Sequence, residues 1–238
     1  MPTTNNILEP VAPPSWARFT DRTVGDVAAH LAGATAVFRR YRIDFCCGGG
    51  VSLAEAAAKR GVDAAAIAAE LDALDAVPPD APQETAPLVD HIVTRYHDTH
   101  RQEMPELVRL ARRVEAVHRE HPDVPAGLAD LLSSAQKELG EHMVKEEQIL
   151  FPAMHEGYRG SLDMPIHVMR HDHDHHGEII RALETVTHSY TLPENACRSW
   201  QALYVGVEKL VTDLTEHIHL ENNVLFPRFE RHWSSEAP

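Results

Sequence analysis

Two stretches of this chain carry histidine and glutamate at one spacing: HMVKEEQILFP from His142 and HIHLENNVLFP from His217 both read H-x3-E-x3-L-F-P, 75 residues apart. On a helix, residues four apart lie one above the other, so each repeat presents an imidazole and a carboxylate to the same point. That is a metal-ligand geometry. One such pair alone would read as a solvated surface contact, but both lie on apolar seams. The first seam runs Leu128, Leu132, Ala135, Leu139, His142, Glu146, Ile149; the second runs Leu203, Val207, Leu210, Leu214, His217, Glu221, Val224. A buried carboxylate is costly unless paired or metal-bound, and two copies facing one core point to metal.

Histidine is abundant, at 17 of 238 residues, and neutral imidazole is the commonest protein metal ligand. Two more seams carry it: Val93, His97, His100, Met104, Leu107, and Ile166, Met169, His173, His176, Ile180, Leu183. The offset from His97 to His173 is 76 residues, again suggesting duplication. At about 100° per residue, His173 and His176 fall beside Met169 and Leu183, whereas His167, His171 and His175 fall on the opposite side. The latter three are expected to face solvent. Spacing alone leaves open the choice between His97 and His100, and between His173 and His176.

The elements that must hold these residues are all helical, since strand-like alternation is absent. Four long amphipathic patterns, at about 88 to 119, 126 to 156, 164 to 190 and 196 to 232, argue for an up-down four-helix bundle. Pro105 should kink the first. Before them, Thr23 with Asp26 reads as a capping box opening one helix that ends near Tyr41. Ser52 with Glu55 opens another that Gly61 stops, and Asp63 caps a third running to about Leu74. The expected organisation is a flexible lead-in over 1–20, a small helical domain over 21–75, a Pro-rich linker over 76–87 and the bundle over 88–232.

A formal charge of −14, from 36 acidic against 22 basic residues, gives no footprint for nucleic acid. No run approaches a membrane span and the N-terminus lacks a signal pattern, so a soluble, cytoplasmic protein is expected. Three cysteines cannot build a disulfide framework. Cys46 and Cys47 lie between an Arg-rich run and three glycines, close to a helix start. Arg39, Arg40 and Arg42 and that helix start would favour thiolate, against the plainer reading of two small residues in a tight turn. Cys197 is expected to be inert.

The stretches DFCCGGG, RYHDTHRQEMPEL, HMVKEEQILFP, PIHVMRHDHDHHGE and HIHLENNVLFP resemble the hemerythrin-like di-iron proteins that repair iron–sulfur clusters, over about residues 20 to 230. The resemblance implies an all-α fold, a hemerythrin-like bundle behind a cysteine-pair domain. It implies as metal ligands His97, His142, Glu146, His173, His217 and Glu221. They would hold two non-haem irons bridged by Glu146, Glu221 and an oxo or hydroxo group, with His100 and His176 left as core or supporting residues. It also implies an iron-transfer or redox role for Cys46 and Cys47, which the Pro-rich linker is expected to separate from the bundle ligands.

Two departures from the oxygen-carrying hemerythrins bear on function. Their last motif is H-x4-D where this chain has His217-x3-Glu221, and the position four residues after His173, where they add a ligand, is Gly177. One fewer histidine favours reactivity over reversible oxygen carriage. The expected function is repair of iron–sulfur clusters damaged by oxidative or nitrosative stress. Its partners would be damaged iron–sulfur proteins and small ligands such as nitric oxide, oxygen or peroxide. The alternatives are an enzyme that reduces nitric oxide or peroxide, and an oxygen or redox sensor.

Overall fold

The computed structural model describes residues 19–74, 81–155 and 160–230. Most of the expected lead-in and the first half of the expected linker lie outside them. Among the described residues every regular element is a helix, and the only bridge joins Thr23 to Ser52.

The N-terminal unit holds α1 (Val24–His30), α2 (Ala34–Arg40), α3 (Leu53–Arg60) and α4 (Ala64–Asp72). Its caps follow from residue type. Thr23 accepts from the backbone of Asp26, Ser52 and Glu55 form a full capping box, Gly61 closes α3 in the left-handed region, and Asp63 accepts from Ala65. The single helix expected from Thr23 to Tyr41 is instead two. Leu31 turns extended after α1, and Gly33, at φ +85°, opens α2 in a conformation that a Cβ would strain. Phe19, Val24, Phe38, Phe45, Leu53, Ile67 and Leu71 close a small apolar core.

The second unit is an up-down four-helix bundle. Its helices are α5 (Thr85–Ile92) running on into α6 (Asp98–Val117), α7 (Leu128–Lys145) running on into α8 (Phe151–His155), α9 (Asp163–Val186) and α10 (Arg198–His219). α6 continues through Pro105, and the irregularity of that helix lies instead at a wide π-turn over Val93–His97. Similar turns occupy Glu146–Leu150 and Leu220–Leu225. Each inserts an extra residue and rotates the next stretch of helix about its axis, a device common at functional sites. The seam expected to continue at Ile149 therefore does not, and Val224 is left half-buried at the edge of the core. Ile149 is 64% exposed, and Leu150 and Leu225 take the buried positions.

Two apolar layers fill the bundle, one from Met104 to Ile218 and one from Leu88 to Phe226. The buried histidines and glutamates lie between them. The N-terminal unit is docked on this part of the bundle. Asn223 donates to the Phe45 carbonyl at 3.0 Å, Arg39 pairs with Glu216, and Phe45 packs edge-on against His219 at 5.4 Å. Close approach is needed there, since a Cβ on Gly49 would sit 2.6 Å from the Phe45 carbonyl and 3.0 Å from the Gly25 Cα.

Gly49→Ala should therefore destabilise the protein by about 1–3 kcal/mol in chemical unfolding. Gly50→Ala, where a Cβ meets nothing within 4 Å, should change it by less than about 0.5 kcal/mol. Equal effects of the two would show that the tight backbone packing is not limiting.

Candidate metal centre

The bundle brings all of the histidine and glutamate residues implied as ligands into two overlapping groups. One is His97, Glu146, His217 and Glu221; the other is His142, Glu146, His173 and Glu221. Both carboxylates belong to both groups, and all of these side chains are buried. Nε2 of His97 lies 3.0 Å from Nε2 of His217, and Nε2 of His173 lies 3.1 Å from Nε2 of His142. Glu221 reaches both pairs, with Oε1 3.0 Å from His217 and Oε2 3.0 Å from His173. Glu146 likewise reaches His142 at 3.2 Å and His97 at 3.5 Å. His100 and His176, buried one turn away, belong to neither group. His167, His171 and His175 are exposed.

The outer edges of the rings are held by residues that spacing did not single out. Nδ1 of His97 donates to Glu147 at 2.6 Å, Nδ1 of His142 to Asp172 at 3.2 Å and Nδ1 of His173 to Asn222 Oδ1 at 2.8 Å. The Asn222 amide donates from Nδ2 to the Cys46 carbonyl at 3.1 Å, which fixes its orientation and leaves Oδ1 as the acceptor. The aromatic residue of each repeat also has a role, Phe151 stacking on His97 and Phe226 on His173. Tyr96 lies flat against His217. The clue in the sequence was adjacency: Glu147, Asp172 and Asn222 are each next to a ligand-type residue.

These partners make the donor set fit metal. With Nδ1 carrying hydrogen on both His142 and His173, the inward Nε2 atoms are two lone pairs 3.1 Å apart. Such an arrangement needs a proton or a metal ion between them. Neither oxygen of Glu146 has a hydrogen bond, nor does Oε2 of Glu221 or Nδ1 of His217. Burial and the facing Glu221 push the Glu146 carboxyl up. Glu221 is opposed by burial but held well below the ordinary carboxylate range by His217 and His173. Burial pushes His97 and His176 down to about 2 and His100 down to about 3. His142 is the exception, because Glu146, Asp172 and Glu221 overcome its burial and push it up to about 10.

Residues 88–229 match the hemerythrin HHE cation-binding domain, and residues 20–75 match the ScdA_N domain, described as of unknown function. The chain is 46% identical over 213 residues to the iron–sulfur cluster repair protein YtfE of Citrobacter koseri, covering 88% of this chain and 97% of that one. It is 45% identical to the YtfE proteins of Escherichia coli O17:K52:H18 and Escherichia fergusonii, with the same coverage. This chain belongs to the hemerythrin-like iron–sulfur cluster repair family. Among the described residues no helix is long and apolar enough to cross a membrane.

The family's cysteine pair does not lie apart from the metal centre, as the linker suggested. Cys47 Sγ is 3.2 Å from the His173 carbonyl, and a Cβ on Gly177 would lie 3.4 Å from that sulfur. The cysteine loop thus packs against the position where the oxygen carriers add a ligand, at a distance a Cβ would meet in ordinary contact. Of the two readings of the cysteine loop, thiolate or tight turn, the surroundings of Cys46 oppose the first. Its hydrogen bond to Cys47, its burial and the neighbouring Cys47 and Asp44 push that thiol well above its ordinary value. α3 starts where the sequence placed it, at Leu53 with Ser52 as its cap. Cys197 is not isolated, with Sγ 3.1 Å from His118 Nε2.

In this family member, Asn222→Ala should weaken metal binding by about 10- to 100-fold while the helical circular dichroism is unchanged. Wild-type affinity in a chelator competition would contradict a positioning role for that amide.

The metal-free protein also has a definite proton dependence. The folded His142 value of about 10 exceeds its ordinary 6.5, so its stabilising charge is fully present below about pH 6.5 and lost as pH rises through about 10. Uptake of metal at pH 8 in weak buffer should release about one proton per chain from this group, and no release would show His142 to be neutral beforehand.

Proposed function

We propose that the chain repairs iron–sulfur clusters damaged by oxidative or nitrosative stress, acting on damaged iron–sulfur proteins. Two non-haem irons would be held by His97 and His217 on one side and His142 and His173 on the other. Glu146 and Glu221 would bridge them. The observation that carries this reading is the pair of opposed imidazole pairs sharing two buried carboxylates. One ion at either histidine pair would leave the other pair's inward nitrogens, 3.0 or 3.1 Å apart, facing each other with nothing between them.

When bound, such irons supply one-electron chemistry and a store of ferrous ion, and nitric oxide, oxygen or peroxide are the small ligands of matching chemistry. The protein's part is positional. Glu147, Asp172 and Asn222 fix ring orientation, and Tyr96, Phe151 and Phe226 wall the centre from water. Asp172 is itself shared with Lys145, at 2.5 Å, so the hold on His142 reaches the protein surface through one ion pair.

Protein from iron-replete cells is expected to carry about two irons per chain and to restore activity to a nitric-oxide-treated cluster enzyme. Glu146→Ala and Glu221→Ala should each lose most of the iron and the repair activity while remaining helical. Replacing His167, His171 and His175 together should leave iron unchanged, and His173→Ala should remove it. Two irons retained in both glutamate variants would contradict the ligand assignment. Full repair by an iron-free variant would contradict a part for the bundle iron in repair, and no repair by the iron-loaded protein would contradict the function.

A further inference from the structure

Outside the bundle centre, one further group of donors converges among the described residues: Asp44, Cys46 and Cys47. Cys46 Sγ lies 3.6 Å from Cys47 Sγ and 3.6 Å from Asp44 Oδ1. A tetrahedral ion with bonds of about 2.3 Å to sulfur and about 2.0 Å to oxygen would place such donors roughly 3.5–3.8 Å apart.

We propose that Asp44, Cys46 and Cys47 form a separate site for one borderline-soft divalent metal ion, open on its fourth side. That the site exists does not depend on the repair reading; that its natural occupant is ferrous iron in transit does.

The loop is built to hold this geometry. The backbone amides of Cys47 and Gly48 donate to Asp44 Oδ1 at 3.1 and 3.0 Å, fixing the carboxylate beside the sulfurs. Asn222 fixes the Cys46 carbonyl. Access comes from a cavity of about 270 Å³ lined by all three donors, Gly177 and Tyr190. That gives the site an entry path and space for a fourth, exogenous ligand. The cavity wall carries both signs, with Arg39, Arg42, Arg60 and Arg181 against Glu184 and Glu208. A cation is therefore held by the donor atoms themselves rather than by a general field. The ion would displace the protons carried by the two sulfurs to solvent, and the resulting thiolates with a carboxylate suit a borderline ion of the iron, cobalt or zinc class.

The location gives the site a use. The Cys47 sulfur touches the backbone of α9 at the His173 carbonyl, while the His173 ring points into the bundle towards His142. An ion at the loop is thus one helix wall from the buried centre. In the plainer account the two thiols only hydrogen-bond within the loop and to the His173 carbonyl, and a cobalt titration separates the two.

The test is anaerobic titration of the iron-loaded full chain with cobalt(II), with iron measured before and after. One extra cobalt per chain should bind with a thiolate-to-cobalt absorption in the near ultraviolet and without loss of iron. The absorption should vanish in the Cys46→Ser, Cys47→Ser double variant and persist in Cys197→Ser. Asp44→Asn keeps an oxygen acceptor for the two amides but loses the charge, and should bind at least tenfold more weakly. Absence of the absorption in the wild type, or its persistence in the double variant, overturns the site. Failure of the repair function is a separate result, because a chain that never holds iron can still show the cobalt absorption.

Discussion

Glu146 and Glu221 are fully buried in one layer of the bundle, each within reach of the same imidazoles. Two carboxylates in that setting cannot both be charged without positive charge between them, because desolvation and mutual repulsion act together. The surrounding residues follow from this constraint. Four histidines supply the nitrogen donors, the outer nitrogens of His97, His142 and His173 are tied down, and apolar layers on both sides keep water from relieving the strain by solvation. In the metal-free protein a proton on His142 meets part of the need. The proposed pair of metal ions would meet it and spread the compensation over both histidine pairs.

The same constraint explains the connection between the two units. His173 is oriented by Asn222, and Asn222 is oriented by the Cys46 carbonyl. A ligand-type residue in the bundle is therefore held through one side chain by the N-terminal cysteine loop. The Arg39–Glu216 pair and the contact of Asn223 with Phe45 keep that loop in place from neighbouring turns of the last bundle helix. The cysteine domain is thus part of the support of the centre as well as a surface of its own.

Much of this was legible in the residues. The i, i+4 histidine and glutamate pairs on apolar seams implied the buried centre, and their duplication implied a bundle with internal symmetry. Helix phase alone separated His173 from His167, His171 and His175. Phase failed beyond Glu146 and Glu221, because a regular period of 3.6 residues contains no signal for the π-turns that bring Leu150 and Leu225 inward. The break at Gly33 was hidden by the apolar stripe continuing across it. The position of Cys47 against α9 depends on tertiary packing, and the proline-rich composition between the units suggested a separation that docking removes. The neighbours Glu147, Asp172 and Asn222 were in plain view but lie off the seam, so a search along the seam passed them by.

The central claim is that the two carboxylates exist to hold two metal ions. Anomalous diffraction from iron-loaded crystals, measured above and below the iron absorption edge, tests it most directly. Two iron peaks about 3–4 Å apart are expected, one beside His97 and His217, the other beside His142 and His173, with Glu146 and Glu221 between them. A single peak, or two irons with either glutamate turned away from both, would contradict the account.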